Sequence, residues 1–487
     1  MSRVAEGVSN TTAPVRAWYC LLSVAALVLF GCSAAPHPDE PAWPRVTLTP
    51  QDRILILAPH PDDEVIGCGG IIQKAVARRL PVRVVFFTYG DNNQWSFAVY
   101  RHHPVLLPRA LQRMGLIRHD EAIAAAKVLG LSPGQLTFLG YPDFGTLHIW
   151  SSHWNDQPPF RSMLTRVTAV PYPNARRHGA AYKGEEILKD LTEIIREFRP
   201  TKVFVSHPGD HMPDHRALYL FARVALWDLE PDLRPAVYPY LVHFTRWPVP
   251  RGYRPSRLLS PPALLRQQVF WQTSPLNSNE VSVKRTALKA HRTQYGSSAR
   301  YLLSFVSSNE LFGDFPVVHA PTELPGVPMI SKGRQGAGEP SDELTSQERA
   351  AFVGLEWRLI QLEGGRLKLS IQFSRPLART VGVSAYVFGY RRDRPFAWMP
   401  KIHIRVDAWS HAVYDQARRV PEDGVEISRT PTQITVALPL ELLGAPDRIL
   451  LSARSYLGAV PLDWVSWRIL ELVKPPGPRL SEVKPPS

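Results

Sequence analysis

Short, uninterrupted hydrophobic runs recur along the first half of the chain, and segments with helical character follow several of them. The runs lie at residues 54–58, 82–88, 136–140 and 202–206. A parallel strand that is buried on both faces requires such continuous apolar stretches. Helices are predicted at about residues 71–77, 119–129 and 185–198. Strands that alternate with helices predict an α/β fold, with a mostly parallel sheet covered by helices on both faces.

The pattern changes near residue 318. Residues 319–348 are rich in proline, glycine, serine and charge, which is typical of a linker. Beyond it, apolar and polar residues alternate at 367–373, 401–406, 434–438 and 449–453. This alternation predicts half-buried strands, and we interpret residues 349–473 as an antiparallel β-sandwich. The proline-rich residues 474–487 are expected to form a disordered tail.

The N-terminus resembles an export signal. Arg3 and Arg16 precede an apolar run at residues 17–30, which is short for a membrane-spanning helix and fits the core of a signal peptide. The run ends in Leu29-Phe30-Gly31-Cys32, which resembles a bacterial lipobox. We therefore expect residues 1–31 to be a lipoprotein signal peptide, Cys32 to be lipidated and residues 32–50 to form a spacer. An ordinary cleaved signal and an uncleaved anchor are the alternatives.

This interpretation predicts an exported bacterial lipoprotein, anchored to a membrane of the cell envelope and facing the periplasm or the surface. Of the three cysteines, Cys20 is then removed and Cys32 acylated. Cys68 is left without a partner for a disulfide, and we expect it to be a small buried hydrophobic residue.

The chain carries a formal net charge of +14. Such a field attracts anionic polysaccharides or acidic lipid headgroups, although an arginine-rich surface exposed to solvent accounts for it equally well. The sequence has no block of lysine and arginine long enough for a nucleic-acid-binding arm, so we expect no nucleic-acid partner.

Two clusters of histidine and acidic residues follow predicted strands. The first spans residues 58–64 and contains His60, Asp62 and Asp63, and the second spans residues 206–215. Open α/β sheets place their ligands at the carboxyl ends of strands. Acidic side chains concentrated there are costly to bury without a cation. The two clusters therefore predict a metal site, and a structural salt-bridge cluster is the alternative.

A catalytic zinc ion needs about three protein ligands and an open position for water. One histidine and one aspartate from the first cluster and one histidine from the second supply that number. The ion lowers the pKa of its bound water toward about 7. The neighbouring Asp62 and Asp63 offer one carboxylate for the metal and one for proton transfer.

The segment His60-Pro61-Asp62-Asp63-Glu64 matches the signature of the PIG-L/LmbE-type zinc-dependent N-acetylglucosaminyl deacetylases, and the second cluster approximates the family's second motif. The resemblance implies a Rossmann-like, LmbE-like deacetylase domain over residues 51–318. It implies that His60, Asp63 and His215 bind Zn²⁺, with another divalent metal as an alternative. It also implies that Asp62 is the general base and later the acid, and that Asp214 orients a neighbouring imidazole.

Three further positions bear on this resemblance. Arg118 and Asp143 resemble residues that hold sugar hydroxyls in the family, although a framework ion pair is an equal alternative. Met212 replaces the histidine that helps to polarise the amide carbonyl in the family, and methionine cannot donate a hydrogen bond. The adjacent His211 is the expected replacement, and His207 is a more distant candidate.

The sequence thus predicts a metal-dependent hydrolase that removes N-acetyl groups from an N-acetylglucosamine-containing sugar or envelope polysaccharide. A catalytically weakened glycan-binding lipoprotein is one alternative, motivated by Met212, and an amidase acting on another N-acyl conjugate is a second. In the β-sandwich, several tryptophans either stack on sugars or belong to the core: Trp398, Trp409, Trp464 and Trp467.

Overall fold

The computed structural model describes residues 43–92, 107–321, 340, 344–407, 409–458 and 460–473. The predicted signal peptide, Cys32, most of the predicted linker and the predicted tail lie outside these residues. No helix within the described residues has both the length and the apolar character needed to cross a membrane.

A five-stranded parallel sheet forms the centre of the first half, with the strand order β3-β2-β1-β4-β5. Its strands are β1 (Ile54–Ala58), β2 (Val82–Thr88), β3 (Leu136–Tyr141), β4 (Lys202–Ser206) and β5 (Ala236–Tyr240). All five residues of β1 are fully buried, as its continuous apolar run requires. The α/β prediction is therefore confirmed, and β5 is a strand that the prediction missed.

Helices cover both faces of this sheet. They are α1 (Asp63–Ala77), α2 (Pro108–Val128), α3 (Thr146–Ser152), α4 (Gly184–Phe198), α5 (Pro213–Asp228), α6 (Ser278–Ala290) and α7 (Arg292–Leu302). Alternate residues of β1 point to opposite faces. Ile54 and Ile56 share one core with α1, α2 and α6, whereas Leu55 and Leu57 share the other with α3, α4 and α5.

Two predicted helix starts were wrong. Helix α1 begins at Asp63 rather than near residue 71, so its glycines lie inside the helix. They permit close packing, because a Cβ on Gly67 would lie 2.7 Å from Cγ of Tyr240, and one on Gly70 would overlap with the Leu276 side chain. Helix α2 begins at Pro108 rather than near residue 119. Its first turns bury residues at helical spacing, a pattern that the prediction missed.

The second half is a β-sandwich, as predicted. A four-stranded sheet has the order β15-β16-β10-β9, and a seven-stranded sheet has the order β14-β13-β12-β11-β17-β18-β8. The strands are β8 (Val318–Pro321), β9 (Leu355–Glu363), β10 (Arg366–Phe373), β11 (Val381–Tyr390), β12 (Lys401–Val406), β13 (His411–Asp415), β14 (Arg418–Arg419), β15 (Glu426–Thr430), β16 (Gln433–Pro439), β17 (Arg448–Leu457) and β18 (Val460–Val473).

The sandwich strands pair in antiparallel fashion except for β8, which lies parallel to β18. Strand β8 falls at the start of the predicted linker. The described structure also contains the short helix α8 (Ser346–Ala351), and an antiparallel pair formed by β6 (Phe270–Pro275) and β7 (Asn309–Asp314).

The seven-stranded sheet packs directly on the α/β half. Trp150 of α3 is fully buried, and its ring centroid lies 4.9 Å from that of Phe221 in α5 and 5.9 Å from that of Phe388 in β11. Trp467 of β18 is also buried in this shared core. The sandwich therefore covers the face formed by α3, α4 and α5. Of the predicted candidates for sugar stacking, Trp467 is a core residue, whereas Trp398 and Trp409 are exposed.

Candidate metal centre

The carboxyl ends of β1 and β4 bring three buried side chains together. His60 follows β1, Asp63 is the first residue of α1, and His215 lies in the first turn of α5. Oδ2 of Asp63 lies 3.2 Å from Nδ1 of His60 and 3.2 Å from Nε2 of His215. One potential ligand atom from each of the three residues lies within 4.8 Å of the others. The structure thus brings together the three ligands that the sequence predicts.

The remaining ring nitrogens of the two histidines face carboxylates. Nε2 of His60 lies 3.1 Å from Oδ1 of Asp143 and 3.3 Å from Oδ2 of Asp214. Nδ1 of His215 lies 3.1 Å from Oδ2 of Asp210. A carboxylate on the far nitrogen is the usual support of a metal-binding imidazole, because it fixes the tautomer and the ring orientation. Nδ1 of His60 and Nε2 of His215 therefore remain for the metal.

The charge around these histidines also fits a cation. Six carboxylates are buried in this region with at most 9% exposure: Asp62, Asp63, Glu64, Asp143, Asp210 and Asp214. Neither ring nitrogen of His215 has a well-formed hydrogen bond, although both are buried. Burial lowers the pKa of His215, but the Asp210 and Asp63 carboxylates outweigh it and raise this pKa to about 9. An accumulation of buried negative charge is relieved by a divalent cation.

Asp62 stands beside this group without belonging to it. Its backbone has φ 123°, a conformation that side-chain-bearing residues rarely adopt, and strain of this kind concentrates at functional sites. Its carboxylate lies 4.0 Å from Nη2 of Arg118. Burial and the adjacent Asp63 carboxylate raise the pKa of Asp62 above its usual range. A carboxyl group with a raised pKa next to a metal site is suited to taking up and returning a proton.

Asp214 connects the start of α3 to His60. Its fully buried carboxylate accepts hydrogen bonds from the backbone N–H of Phe144 at 2.6 Å, the backbone N–H of Thr146 at 3.2 Å and the hydroxyl of Thr146. The same carboxylate faces Nε2 of His60 at 3.3 Å. Asp214 therefore occupies the position expected of a residue that orients a neighbouring imidazole.

Comparison with known proteins agrees with this geometry. Residues 55–226 match the family model of PIG-L, described as GlcNAc-PI de-N-acetylase. That segment contains all three candidate metal ligands as well as Asp62, Asp143 and Asp214. This segment is thus similar to the PIG-L family, and we call it the PIG-L domain.

The curated proteins that are similar to the chain include the following two. A 1D-myo-inositol 2-acetamido-2-deoxy-alpha-D-glucopyranoside deacetylase from Nocardia farcinica is 25% identical over 62% of this chain and 96% of its own length. A protein of the same name, numbered 1, from Saccharopolyspora erythraea is 29% identical, and the matched region covers 35% of this chain and about half of that relative, 52%. Among solved structures, the N,N'-diacetylchitobiose deacetylase from Pyrococcus horikoshii matches 52% of this chain and 75% of its own, with 21% identity and a TM-score of 0.31.

Arg118 and Asp143 are part of the internal frame of the PIG-L domain. Arg118 is 3% exposed, and its guanidinium donates hydrogen bonds to the carbonyl oxygens of Gly90 at 2.6 Å and Pro61 at 3.0 Å. Asp143 is 4% exposed, faces His60 and accepts a hydrogen bond from the backbone N–H of Asn92 at 3.0 Å. These contacts favour the framework alternative over direct binding of sugar hydroxyls.

The two histidines considered as replacements at Met212 lie in different surroundings. The His207 ring is fully buried between Trp271 and Phe315, which favours a place in the core over a role in catalysis. His211 is half-buried, packs on Phe244 and has Nδ1 at 3.3 Å from the Thr245 hydroxyl. Met212 precedes α5, and its backbone N–H donates to Asp210 Oδ1 at 2.9 Å.

The sequence reasoning missed His243, which follows β5 and lies outside the segment matched by the family model. Its ring centroid is 4.9 Å from that of His215. Its Nδ1 lies 3.4 Å from the Tyr301 hydroxyl, and its Nε2 has no hydrogen-bond partner among the described residues. The feature of the sequence that could have indicated His243 is the place of this polar residue shortly after strand β5. The run Ala236–Tyr240 was hard to recognise because its first residues are only partly buried.

Further buried polar pairs hold α1 in place. Lys284 donates hydrogen bonds to the Ile66 carbonyl at 2.9 Å and to Oε1 of Glu310 at 2.7 Å. Glu310 in turn accepts from the backbone N–H groups of Gly70 and Ile71. Cys68, in the same helix, is fully buried, as predicted. These contacts fix the helix whose first residue is the candidate metal ligand Asp63.

His291 is also fully buried, and its Nε2 lies 2.9 Å from Oε1 of Glu64. Glu64 additionally accepts a hydrogen bond from the Asp62 backbone N–H at 2.9 Å. His291 therefore supports the turn that carries Asp62.

Proposed function

We propose that the protein is a metal-dependent hydrolase, with zinc as the preferred ion, that removes N-acetyl groups from an N-acetylglucosamine-containing glycan. The observation that carries this proposal is the buried group of His60, Asp63 and His215, with the Asp62 carboxyl group beside it, inside a PIG-L domain. The names of the curated relatives support an acetamido sugar as the substrate class. An envelope polysaccharide is the form of this substrate that fits an exported protein.

When bound, the metal supplies a Lewis acid that polarises the amide carbonyl and lowers the pKa of water. Asp62 takes one proton from the attacking water as the oxygen–carbon bond forms. It returns that proton to the departing nitrogen as the carbon–nitrogen bond breaks, so that a free amine and acetic acid result, and the acid then ionises to acetate. The Arg118 guanidinium, 4.0 Å from Asp62 Oδ1, stabilises the ionised form of this carboxyl group.

The developing negative charge on the carbonyl oxygen needs a hydrogen-bond donor, and Met212 cannot supply it. His243 takes this role in the mechanism that we propose, because its ring contacts the His215 ring and its Nε2 remains available. His211, the replacement expected from the sequence, contacts Phe244 and Thr245 instead. Methionine in place of histidine at position 212 is therefore compatible with catalytic activity at this site.

Acetate release tests the proposed activity. Metal-loaded protein incubated with N-acetylglucosamine oligomers should release acetate, and chelated protein should not. Asp62→Asn should lower the rate by about 10²–10⁴, because an amide cannot accept the proton. The control is Asp156→Asn, an exposed position in the same half of the chain, which should leave the rate unchanged.

Two outcomes would contradict the proposal. An Asp62→Asn variant that retains full activity would remove Asp62 from the mechanism. Wild-type protein that binds the oligomers and the metal without releasing acetate, while Met212→His becomes active, would establish the weakened glycan-binding alternative.

We also propose that the protein is a lipoprotein of the cell envelope, anchored through Cys32. The support is the apolar run at residues 17–30 followed by Leu29-Phe30-Gly31-Cys32. Metabolic labelling with a fatty acid should mark the wild type and not Cys32→Ser. Label that remains on Cys32→Ser would refute this assignment.

A further inference from the structure

A row of side chains crosses four adjacent strands of the seven-stranded sheet. Ser384 of β11 lies opposite Arg405 of the neighbouring strand β12. On its other side, Ser384 lies opposite Arg454 of β17. Arg454 in turn lies opposite Trp464 of β18. We call these four residues the arginine row. Side chains two residues apart share a face of a strand, so Ser384 lies on the face of Tyr386 and Phe388. That is the face packed on the PIG-L domain.

The guanidinium of Arg454 is surrounded by rings rather than by carboxylates. It lies 5.3 Å from the ring centroid of Trp464, 5.5 Å from that of Tyr456 and 5.8 Å from that of Tyr386. Arg454 is half-buried, its Nε is buried without a hydrogen bond, and it forms no ion pair with any of the described residues. A partly desolvated guanidinium without a counter-ion is costly, and an anionic ligand would offset that cost.

The nearest acidic residue in the sequence of β18, Asp463, forms no ion pair with Arg454 among the described residues. Oδ2 of Asp463 accepts a hydrogen bond from the backbone N–H of Leu355 in the four-stranded sheet, and Oδ1 accepts from the backbone N–H of Trp464. Arg405, the other cation of the row, is exposed and donates a hydrogen bond to the Tyr456 hydroxyl at 3.4 Å. The row therefore presents positive charge and an aromatic surface on one face of the sheet.

This row contacts helix α5, which carries the candidate metal ligand His215. The Arg216 guanidinium stacks on the Trp464 ring at 4.7 Å, and it also donates a hydrogen bond to the His211 carbonyl at 2.9 Å. Arg216 directly follows the metal ligand His215. On helix α3, desolvation and the Arg454 guanidinium lower the pKa of His148, whereas the Asp214 carboxylate raises it. His148 thus interacts electrostatically with Arg454 of the arginine row and with Asp214, the carboxylate that faces His60.

We propose that Arg454 binds the acidic group of a sugar unit adjacent to the N-acetylated one. The inference rests on the proposed function and narrows its substrate class to acidic glycans that contain N-acetylglucosamine. A planar guanidinium pairs with a carboxylate or phosphate through two parallel hydrogen bonds. The net charge of +14 acts in the same direction, by attracting polyanions to the surface.

Two matched disaccharides test this proposal: glucuronic acid linked to N-acetylglucosamine, and the neutral compound with glucose in place of glucuronic acid. The ratio of kcat/KM for the acidic compound to kcat/KM for the neutral one should exceed one in the wild type. Arg454→Gln should lower that ratio about tenfold, as expected for the loss of a charged hydrogen-bonded pair. Arg454→Lys should restore part of it, and high salt should weaken the wild-type preference.

Arg429→Gln is the control, because Arg429 is an exposed arginine in β15 of the opposite sheet. It should leave the ratio unchanged. A wild-type ratio near one, or a ratio that Arg454→Gln does not alter, would overturn the proposal.

Calorimetric binding separates this inference from the proposed function. If neither disaccharide releases acetate, the deacetylase proposal fails, but the wild type should still bind the acidic compound more tightly than Arg454→Gln does. Equal affinities of the two proteins for the acidic compound would then contradict the acidic subsite. Thermal unfolding of Arg454→Gln and the wild type shows whether the variant is folded. If Arg454→Gln is unfolded, the affinities of Arg454→Lys and the wild type for the acidic compound are compared instead.

Discussion

The hydroxyl of Thr146 is one of the contacts through which the start of α3 supports the candidate metal centre, and its removal has calculable consequences. Thr146 is fully buried and donates a hydrogen bond to Asp214, which faces His60. Thr146→Val preserves the shape of the side chain and deletes only this donor. Hydrogen bonds to charged groups contribute about 1.5–3 kcal/mol. The backbone N–H groups of Phe144 and Thr146 still donate hydrogen bonds to Asp214. We therefore expect the free energy of unfolding to fall by an amount at the lower end of this range, about 1.5 kcal/mol.

The same substitution should weaken metal binding. Residues that support a metal-bound histidine typically change the affinity by about 10–100-fold, and we expect a decrease of about tenfold because Asp214 itself remains. Urea unfolding of the metal-free protein measures the loss of stability, and competition with a chelator measures the loss of metal affinity. Thr286→Val is the control, because Thr286 is exposed on α6, and it should change the stability by less than about 0.5 kcal/mol.

Two results would refute this reasoning in different ways. An unchanged free energy of unfolding for Thr146→Val would show that its hydroxyl does not stabilise Asp214. A lower stability combined with wild-type metal affinity would show that Asp214 does not orient His60.

Three further predictions follow from particular contacts. Gly67→Ala should destabilise the protein by about 2 kcal/mol in urea unfolding, because the added Cβ meets the Tyr240 ring, whereas Gly134→Ala, where the space is open, should have little effect. His243→Ala should lower kcat by about 10²–10³ with unchanged metal content, and His211→Ala should lower it less; the reverse order would restore His211 as the donor. Trp150→Ala should cost about 3–5 kcal/mol, because its fully buried ring joins α3 to the sandwich; a cost below 1 kcal/mol would show that the two halves do not share a core.

The parallel sheet was predictable because its strands are buried on both faces. Hydrophobic runs such as 54–58 and 82–88 have no other simple explanation, and the structure places strands at the same positions. The start of α1 was not predictable from propensity, since Gly67, Gly69 and Gly70 disfavour a helix. Close packing against Tyr240 and Leu276 overrides that preference, and such tertiary contacts are not visible in the local sequence.

The candidate ligands were accessible from the sequence because two short motifs contain them. His243 was not, because it belongs to no motif and reaches His215 only through the position of β5 in the sheet. The arginine row was equally hidden, since its members are separated by up to 80 residues along the chain, from Ser384 to Trp464. Only the register of four strands makes them neighbours.

The central claim is that His60, Asp63 and His215 form one metal site, and a titration of chelated protein with Zn²⁺ tests it most directly. We predict one tightly bound equivalent per chain in the wild type and in Asp62→Asn, because Asp62 lies outside the ligand group. His60→Ala, Asp63→Asn and His215→Ala should each lose this tight binding while remaining folded. A wild type that binds no zinc, or ligand variants that bind it as tightly as the wild type, would contradict the account.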